Sequence, residues 1–321
     1  MSPQARGSNS RLIFDQETTF GTTPAAPAAQ VAYFENEGFA QTIEQIESAI
    51  IRGNRNPTAP LRGNRSVSGS IATELAPVGQ GVWLKHLMGS VATTGDGPYE
   101  HVFKIGTLPV GLCFEKQFLD LDKFVLYNGV RVASASFDFA PSGKIAVSYS
   151  FAGQKETVGD TSFDAAPVDL GHSPFEGFHA AIEEGGSTIG VVTAAKLEIN
   201  NDLQTDQYVI GGGGLVHGLP EGIVKVSGSL TALFDSMALY DKAVAGTESS
   251  LKVTLTKGDG LGSEGNESLE FFVPELRFQA NTPTINDSKG LLIELPFMAY
   301  FDDAAAATAL QITLKNSQAT I

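Results

Sequence analysis

Cysteine, tryptophan and positive charge are all scarce in this chain. A single cysteine, Cys113, rules out a disulfide within it, so the fold does not depend on an oxidising compartment. Cys113 sits in the apolar run Val-Gly-Leu-Cys-Phe and reads as a small core residue, with a reactive thiol as the alternative. One tryptophan leaves little from which to build a sugar-stacking platform. Lysine and arginine number 21 against 36 aspartates and glutamates, a formal net charge of −15. Such a chain repels nucleic acid and anionic membrane unless its cations cluster. No apolar run approaches the roughly 18 residues of a membrane span, and residues 1–10 lack the apolar stretch of a signal peptide. The expectation is a protein made and folded in the cytoplasm, loose over its first ten residues.

Catalytic and metal-binding patterns are also missing. The five histidines, His86, His101, His172, His179 and His217, form neither HxxxH nor HExxH. Gly211–Gly214 lacks the Lys-Ser/Thr of a phosphate loop, and the acidic, glycine-rich stretch 258–267 does not follow EF-hand spacing. There is no GxSxG elbow. Glu183-Glu184 and Asp302-Asp303 are adjacent pairs, which point to opposite faces of a strand. The Asn-x-Ser triplets at Asn64, Asn266 and Asn286 mean nothing without a secretory signal. The sequence therefore predicts no enzyme, metal or cofactor.

What is present is repetition. Residues 51–70 align without gaps onto 210–229, with Ile51, Gly53, Gly63, Val67, Ser68, Gly69 and Ser70 falling on Ile210, Gly212, Gly222, Val226, Ser227, Gly228 and Ser229. A strand-like run leads in each time, Ser-Ile-Ala-Thr-Glu-Leu or Ser-Leu-Thr-Ala-Leu-Phe leads out, and a short helix-like segment follows. One supersecondary unit used twice is the simplest account, and 321 residues divide into two units of ordinary size, 1–160 and 161–321. With 35 glycines, 42% hydrophobic and only 18% charged residues, the composition suits a turn-rich, mainly β protein.

In the first unit, residues 11–15, 31–34, 42–51 and 66–75 read as strands, and 82–88 as a short helix ending at Gly89. Residues 130–139 and 144–151 flank Pro-Ser-Gly as a hairpin. Its second arm alternates Ile145, Val147, Tyr149 and Phe151 against Ala146, Ser148 and Ser150, predicting one buried face. Residues 153–175 are polar and aperiodic and read as a linker. The second unit repeats the order: strands over 194–200 and 223–234, then a helix over 236–245 capped by Asp235, with Met237, Tyr240 and Val244 sharing a face before Gly246. Strand 251–256 and a closing hairpin, 275–280 with 291–301, complete it. Even an arginine recurs, as Val130-Arg131-Val132 and Leu276-Arg277-Phe278.

Of only eight arginines, four lie in the long first loop, 52–65: Arg52, Arg55, Arg62 and Arg65. Three readings are open. The loop is merely solvated, or it meets an acidic surface on another copy, or it touches nucleic acid, for which four arginines without interleaved aromatics make a poor footprint.

Three segments carry a family resemblance: Leu-Ile-Phe-Asp-Gln-Glu-Thr-Thr-Phe-Gly-Thr-Thr-Pro (12–24), Thr-Ala-Ala-Lys-Leu-Glu-Ile-Asn-Asn (193–201) and Val-Ser-Gly-Ser-Leu-Thr-Ala-Leu-Phe-Asp-Ser-Met-Ala-Leu-Tyr-Asp-Lys-Ala (226–243). The chain resembles the major tail tube proteins of long-tailed, siphovirus-like bacteriophages, differing from single-unit members in its doubling. The resemblance implies two tandem β-sandwich units, each with one flanking helix, joining neighbours into a closed β-barrel ring. Single-unit relatives form six-membered rings, so three fused chains should close a pseudo-sixfold one. Stacked rings would make a tube that conducts DNA into the host through an acidic lumen, with tape-measure, tail-tip and tail-terminator proteins as partners and the virion tail as its location. The long loops would reach the adjacent ring, which makes Arg52, Arg55, Arg62 and Arg65 the expected inter-ring contact. The rival from another class is a β-sandwich host- or glycan-binding decoration module. A small β-rich hydrolase ranks last, for want of any catalytic constellation.

Overall fold

The computed structural model describes residues 4–283, 285 and 290–321; the Asn286 triplet lies outside them. The first half contains β1 (Ser10–Glu17), β2 (Gln30–Ala32), β3 (Asn36–Glu37), β4 (Ala40–Ile46), β5 (Leu61–Glu74) and helix α1 (Gly81–Met88). It continues with β6 (Gly89–Thr94), β7 (Tyr99–Ile105), β8 (Gly111–Phe118), β9 (Lys123–Phe139), β10 (Ala146–Gly153) and β11 (Lys155–Gly159). The second half contains β12 (Ala180–Glu184), β13 (Ser187–Thr188), β14 (Val192–Asn200), β15 (Lys225–Leu233) and helix α2 (Ala238–Ala245). It ends with β16 (Ser249–Thr256), β17 (Ser268–Phe278), β18 (Leu292–Ala299) and β19 (Gln311–Asn316). The chain is mainly β, as expected.

The same pairing pattern occurs twice. In the first half β4, β5, β10 and the C-terminal part of β9 lie side by side, all antiparallel; in the second, β14, β15, β18 and the end of β17 do. The N-terminal part of β9 leaves this layer and joins β8 and β11, as β17 joins β16 and β19. In both cases a strand on the far side completes the second layer, β1 on β8 and β12 on β16. The β6–β7 hairpin has no counterpart; it belongs to the first half and pairs β19 of the second.

The two layers face each other across an apolar core. Phe14 of β1 and Phe114 of β8 meet Trp83 of α1, and Phe114 stacks edge-on to Phe151 of β10 at 5.1 Å. Phe271 of β17 packs on Phe137 of β9 at 4.8 Å, so the core runs continuously from one half into the other. Period-two alternation accounts for β10: Ile145, Val147, Tyr149 and Phe151 are buried, while Ser148 and Ser150 face out. Glycines matched in the repeat serve packing. A Cβ on Gly69 would stand 2.2 Å from the Phe39 ring, and one on Gly228 would stand 2.5 Å from the Phe297 ring.

Three expectations need correction. Residues 153–175 are not a free linker: Lys155–Gly159 is a strand, the Ala29 N–H donates to Asp164, and Phe175 is fully buried with its N–H donated to the Leu75 carbonyl. Polar composition hid these anchors, because the ladder is carried by backbone groups that any sequence supplies. Asp235 does not cap α2, which starts later, after Met237, with no side-chain cap bond. Met237 and Val244 are 49% and 60% exposed. Finally, the first long loop spans 47–60, not 52–65, because the β4–β5 ribbon extends to the Ile46–Leu61 pair and places Arg62 and Arg65 on β5.

Candidate assembly surfaces

The chemistry-bearing side chains are dispersed. Among the described residues no group of three or more His, Cys, Asp or Glu is placed to hold a metal ion. His86 is buried in α1, and burial together with the charges of Lys85 and Arg131 pushes it down to about 3. His101 bridges Thr93 and Asn316 inside the β6–β7–β19 sheet. His172 meets Glu74 at 3.0 Å, His179 closes a capping box with Glu176, and Cys113 is buried, its thiol pushed up by burial. Glu183 and Glu184 pair separately with Lys252 and Lys242. An apolar groove of about 360 Å³, running past Phe139, Phe178, Ile182 and Val192, has no titratable side chain in its lining.

One broad polar face stands out. Its residues alternate with the core positions of β5, β10, β9, β14 and β15, and the strand registers set them in rows. Ser70, Ser150 and Ser134 share one row and Ser148 and Ser136 the next; Ser68, Ser227 and Ser229 lie on the same face. The registers place Glu74, Asp138, Glu198 and Glu294 on this face with Lys196, Lys225, Arg131 and Arg277, and Lys196 pairs with Glu198. The face is a sheet of hydroxyls, and most of the chain's negative charge lies elsewhere.

The arginine arm is a projecting ribbon. Arg52 folds back to donate to the Pro57 carbonyl at 2.8 Å and stiffens the turn. Ile50, Ile51 and Leu61 are 73%, 94% and 62% exposed around it, and Ile210, the repeat partner of Ile51, is fully exposed too. Arg62 is exposed, while Arg65 is held at the arm's base, its N–H donated to Gly214 and its carbonyl accepting from the Tyr208 hydroxyl. The structure thus separates the four arginines into two at the tip and two on the strand.

Between the halves lies a built junction. β9 pairs β14 antiparallel from Phe139–Ala195 to Ser134–Asn200. Asn201, buried, caps the seam: its backbone N–H donates to Ala133, and its side-chain amide donates to Leu87 at 3.1 Å and Val132 at 3.0 Å. Arg131 donates to the Leu219 carbonyl and to Glu221, both at 2.9 Å, and the second Glu221 oxygen accepts the Leu108 N–H. Ala152, Val216 and Leu219 bury a small apolar cluster beside it. No sequence motif marks this junction; the recurrence of Arg131 as Arg277 was the one signal available.

Among the described residues, no further strand pairs with the outer edge of β4 or with the Arg277–Phe278 end of β17 in this row of eight strands, β4-β5-β10-β9-β14-β15-β18-β17. Strand edges of this kind are normally covered or paired. Near the β17 end Arg277 lies over the Tyr300 ring at 5.4 Å; the Tyr300 hydroxyl donates to Glu248, and the Glu275 carboxylate accepts the N–H groups of Asp302 and Asp303. Backbone N–H groups of Asp302 and Asp303 hold the Glu275 carboxyl below its usual range, and Glu275 in turn pushes Asp303 up.

No curated protein matches the chain. A family model described as phage tail tube protein matches residues 7–299, nearly the whole chain and both copies of the repeated pattern. Together with the mainly β architecture, this match places the chain in the phage tail tube protein family.

Proposed function

We propose that three copies of this chain close a pseudo-sixfold ring, and that rings stack into the tail tube of a siphovirus-like phage and conduct its DNA into the host. The recurrence of one strand order on both sides of the β9–β14 seam carries this reading, because a unit that already joins its twin edge to edge needs only a rotation that closes to form a ring. Closure would remove the open edges at β4 and β17. The chain would consist of two sandwich units, 1–160 and 161–321. The anchoring of residues 161–176 on the first favours a physical crossover nearer Gly177.

The hydroxyl face would line the lumen. Its charges, four acidic and four basic by register, nearly balance and would offer a passing duplex little to grip, since firm binding needs many phosphate neutralisations. On this reading the lumen would be nearly neutral, where the family resemblance implies an acidic one. The arm's tip, with Arg52 and Arg55 beside exposed isoleucines, would reach the adjacent ring; Arg62 and Arg65 would act from its base. Tape-measure, tail-tip and tail-terminator proteins would cap the assembly.

Electron microscopy of the purified protein tests this. Hollow tubes or rings are expected. A monodisperse monomer at every concentration and salt condition would reject the reading and favour the decoration module instead.

A further inference from the structure

The registers allow the internal junction to be transferred, residue by residue, to the open ends. Ser68 and Ser227 are aligned in the repeat; they face Ala152 and Met298, which in turn face Arg131 and Arg277. Arg131 and Arg277 are therefore equivalent, as are Ala152 and Met298. Ser66 and Lys225, aligned likewise, face Thr42 and Asn200, which makes Ile43 the equivalent of Asn201. Leu87 and Val244 each stand two residues before a helix-ending glycine.

Each equivalent is covered at the internal junction and bare at the end of the chain. Ala152 is 7% exposed and Met298 59%; Leu87 is 1% exposed and Val244 60%. Arg131 is paired with Glu221, whereas among the described residues Arg277 has no carboxylate partner. What covers the first set is the following unit: β14, Asn201 and the loop leading to β15. The corresponding segment of the first unit is β4 and the base of its arm, which shows bare apolar surface of its own at Ile46 and Leu61.

Charge agrees. The arm segment 40–65 has four arginines against Glu44 and Glu47, while Glu248, Glu275, Asp302 and Asp303 gather about Tyr300, whose ring Arg277 covers. Position 221, glutamate at the internal junction, is matched by Arg62 in the arm, so the Arg131–Glu221 pair is not repeated between chains, and Arg62 must turn from Arg277 to the carboxylates of Asp302 and Asp303.

We propose that the β4 edge and arm base of one chain, Ile43, Ile46, Leu61 and Arg62, seat on the β17–β18 end of a second copy at its Val244, Met298, Asp302 and Asp303. This contact rests on the ring reading and names the surfaces that close it. It is heterologous: neither surface meets its own like.

Two variants, each disabling one end, test it. Val244→Asp/Met298→Asp removes one surface and Ile46→Asp/Arg62→Glu the other; all four positions are exposed, and unchanged melting temperatures will show that both variants fold. Sedimentation velocity should find each variant monomeric alone and an equimolar mixture forming one-to-one dimers and nothing larger. Rings from either variant alone, or monomers only in the mixture, would overturn the contact. If wild-type protein still forms tubes in that experiment, the tube reading survives; wild-type protein that never assembles overturns both.

Discussion

Arg131 and Arg277 occupy the same place in two copies of one hairpin, yet only Arg131 holds a carboxylate, Glu221 at 2.9 Å. The Arg131 guanidinium is only 17% exposed and also serves the Leu219 carbonyl. Its truncation leaves a half-buried carboxylate and a carbonyl unsatisfied. Arg131→Ala should cost the isolated chain about 1–3 kcal/mol, and Arg277→Ala less than about 0.5 kcal/mol, measured by urea unfolding of unassembled protein.

The alternation in β10 predicts opposite outcomes at neighbouring positions. Val147 is 2% exposed, and an aspartate there would bury an unpaired charge, so Val147→Asp, like Ile145→Asp, should abolish folding. Ser148 faces out, and Ser148→Asp should fold with melting temperature nearly unchanged. Circular dichroism melts check both, and an intolerant Ser148 would place the hydroxyl face against a partner layer.

These contrasts show what the sequence made legible. Period-two burial in β10 and β16 and the glycine ending α1 were readable because each is fixed by neighbours within a few residues. The repeat was readable because Gly69 and Gly228 each lie under an aromatic ring, a packing demand that preserves the residue type. The junction was not, because Asn201 and Glu221 lie 70 and 90 residues beyond Arg131 and acquire their roles only when β9 meets β14.

The arm should be dispensable for folding and needed for polymerisation. Changing Arg52, Arg55, Arg62 and Arg65 together to Gln should give soluble, folded subunits that form no tubes, as seen by electron microscopy. Normal tubes from this variant would remove the arm from the assembly.

His86 gives the fold an acid-sensitive component. Its folded-state value lies near 3, below the ordinary 6.5, so over that interval the unfolded chain binds a proton that the folded chain refuses. Its contribution is therefore complete above that ordinary value and is lost as pH falls toward 3, by up to about 5 kcal/mol. His86→Gln should flatten the decline in melting temperature between pH 7 and pH 4 relative to the wild-type chain, on the order of the linkage slope for one proton. An unchanged decline would assign the acid sensitivity to carboxylates such as Asp120, whose pairing with Arg6 is likewise lost in acid.

Counting chains per ring probes the account most directly. Native mass spectrometry of rings released from the tube, with cryo-electron microscopy of the tube itself, should give three chains, true threefold symmetry and six similar lobes. A ring of six chains, each contributing both halves, would contradict the proposal that the two units of one chain fill adjacent places.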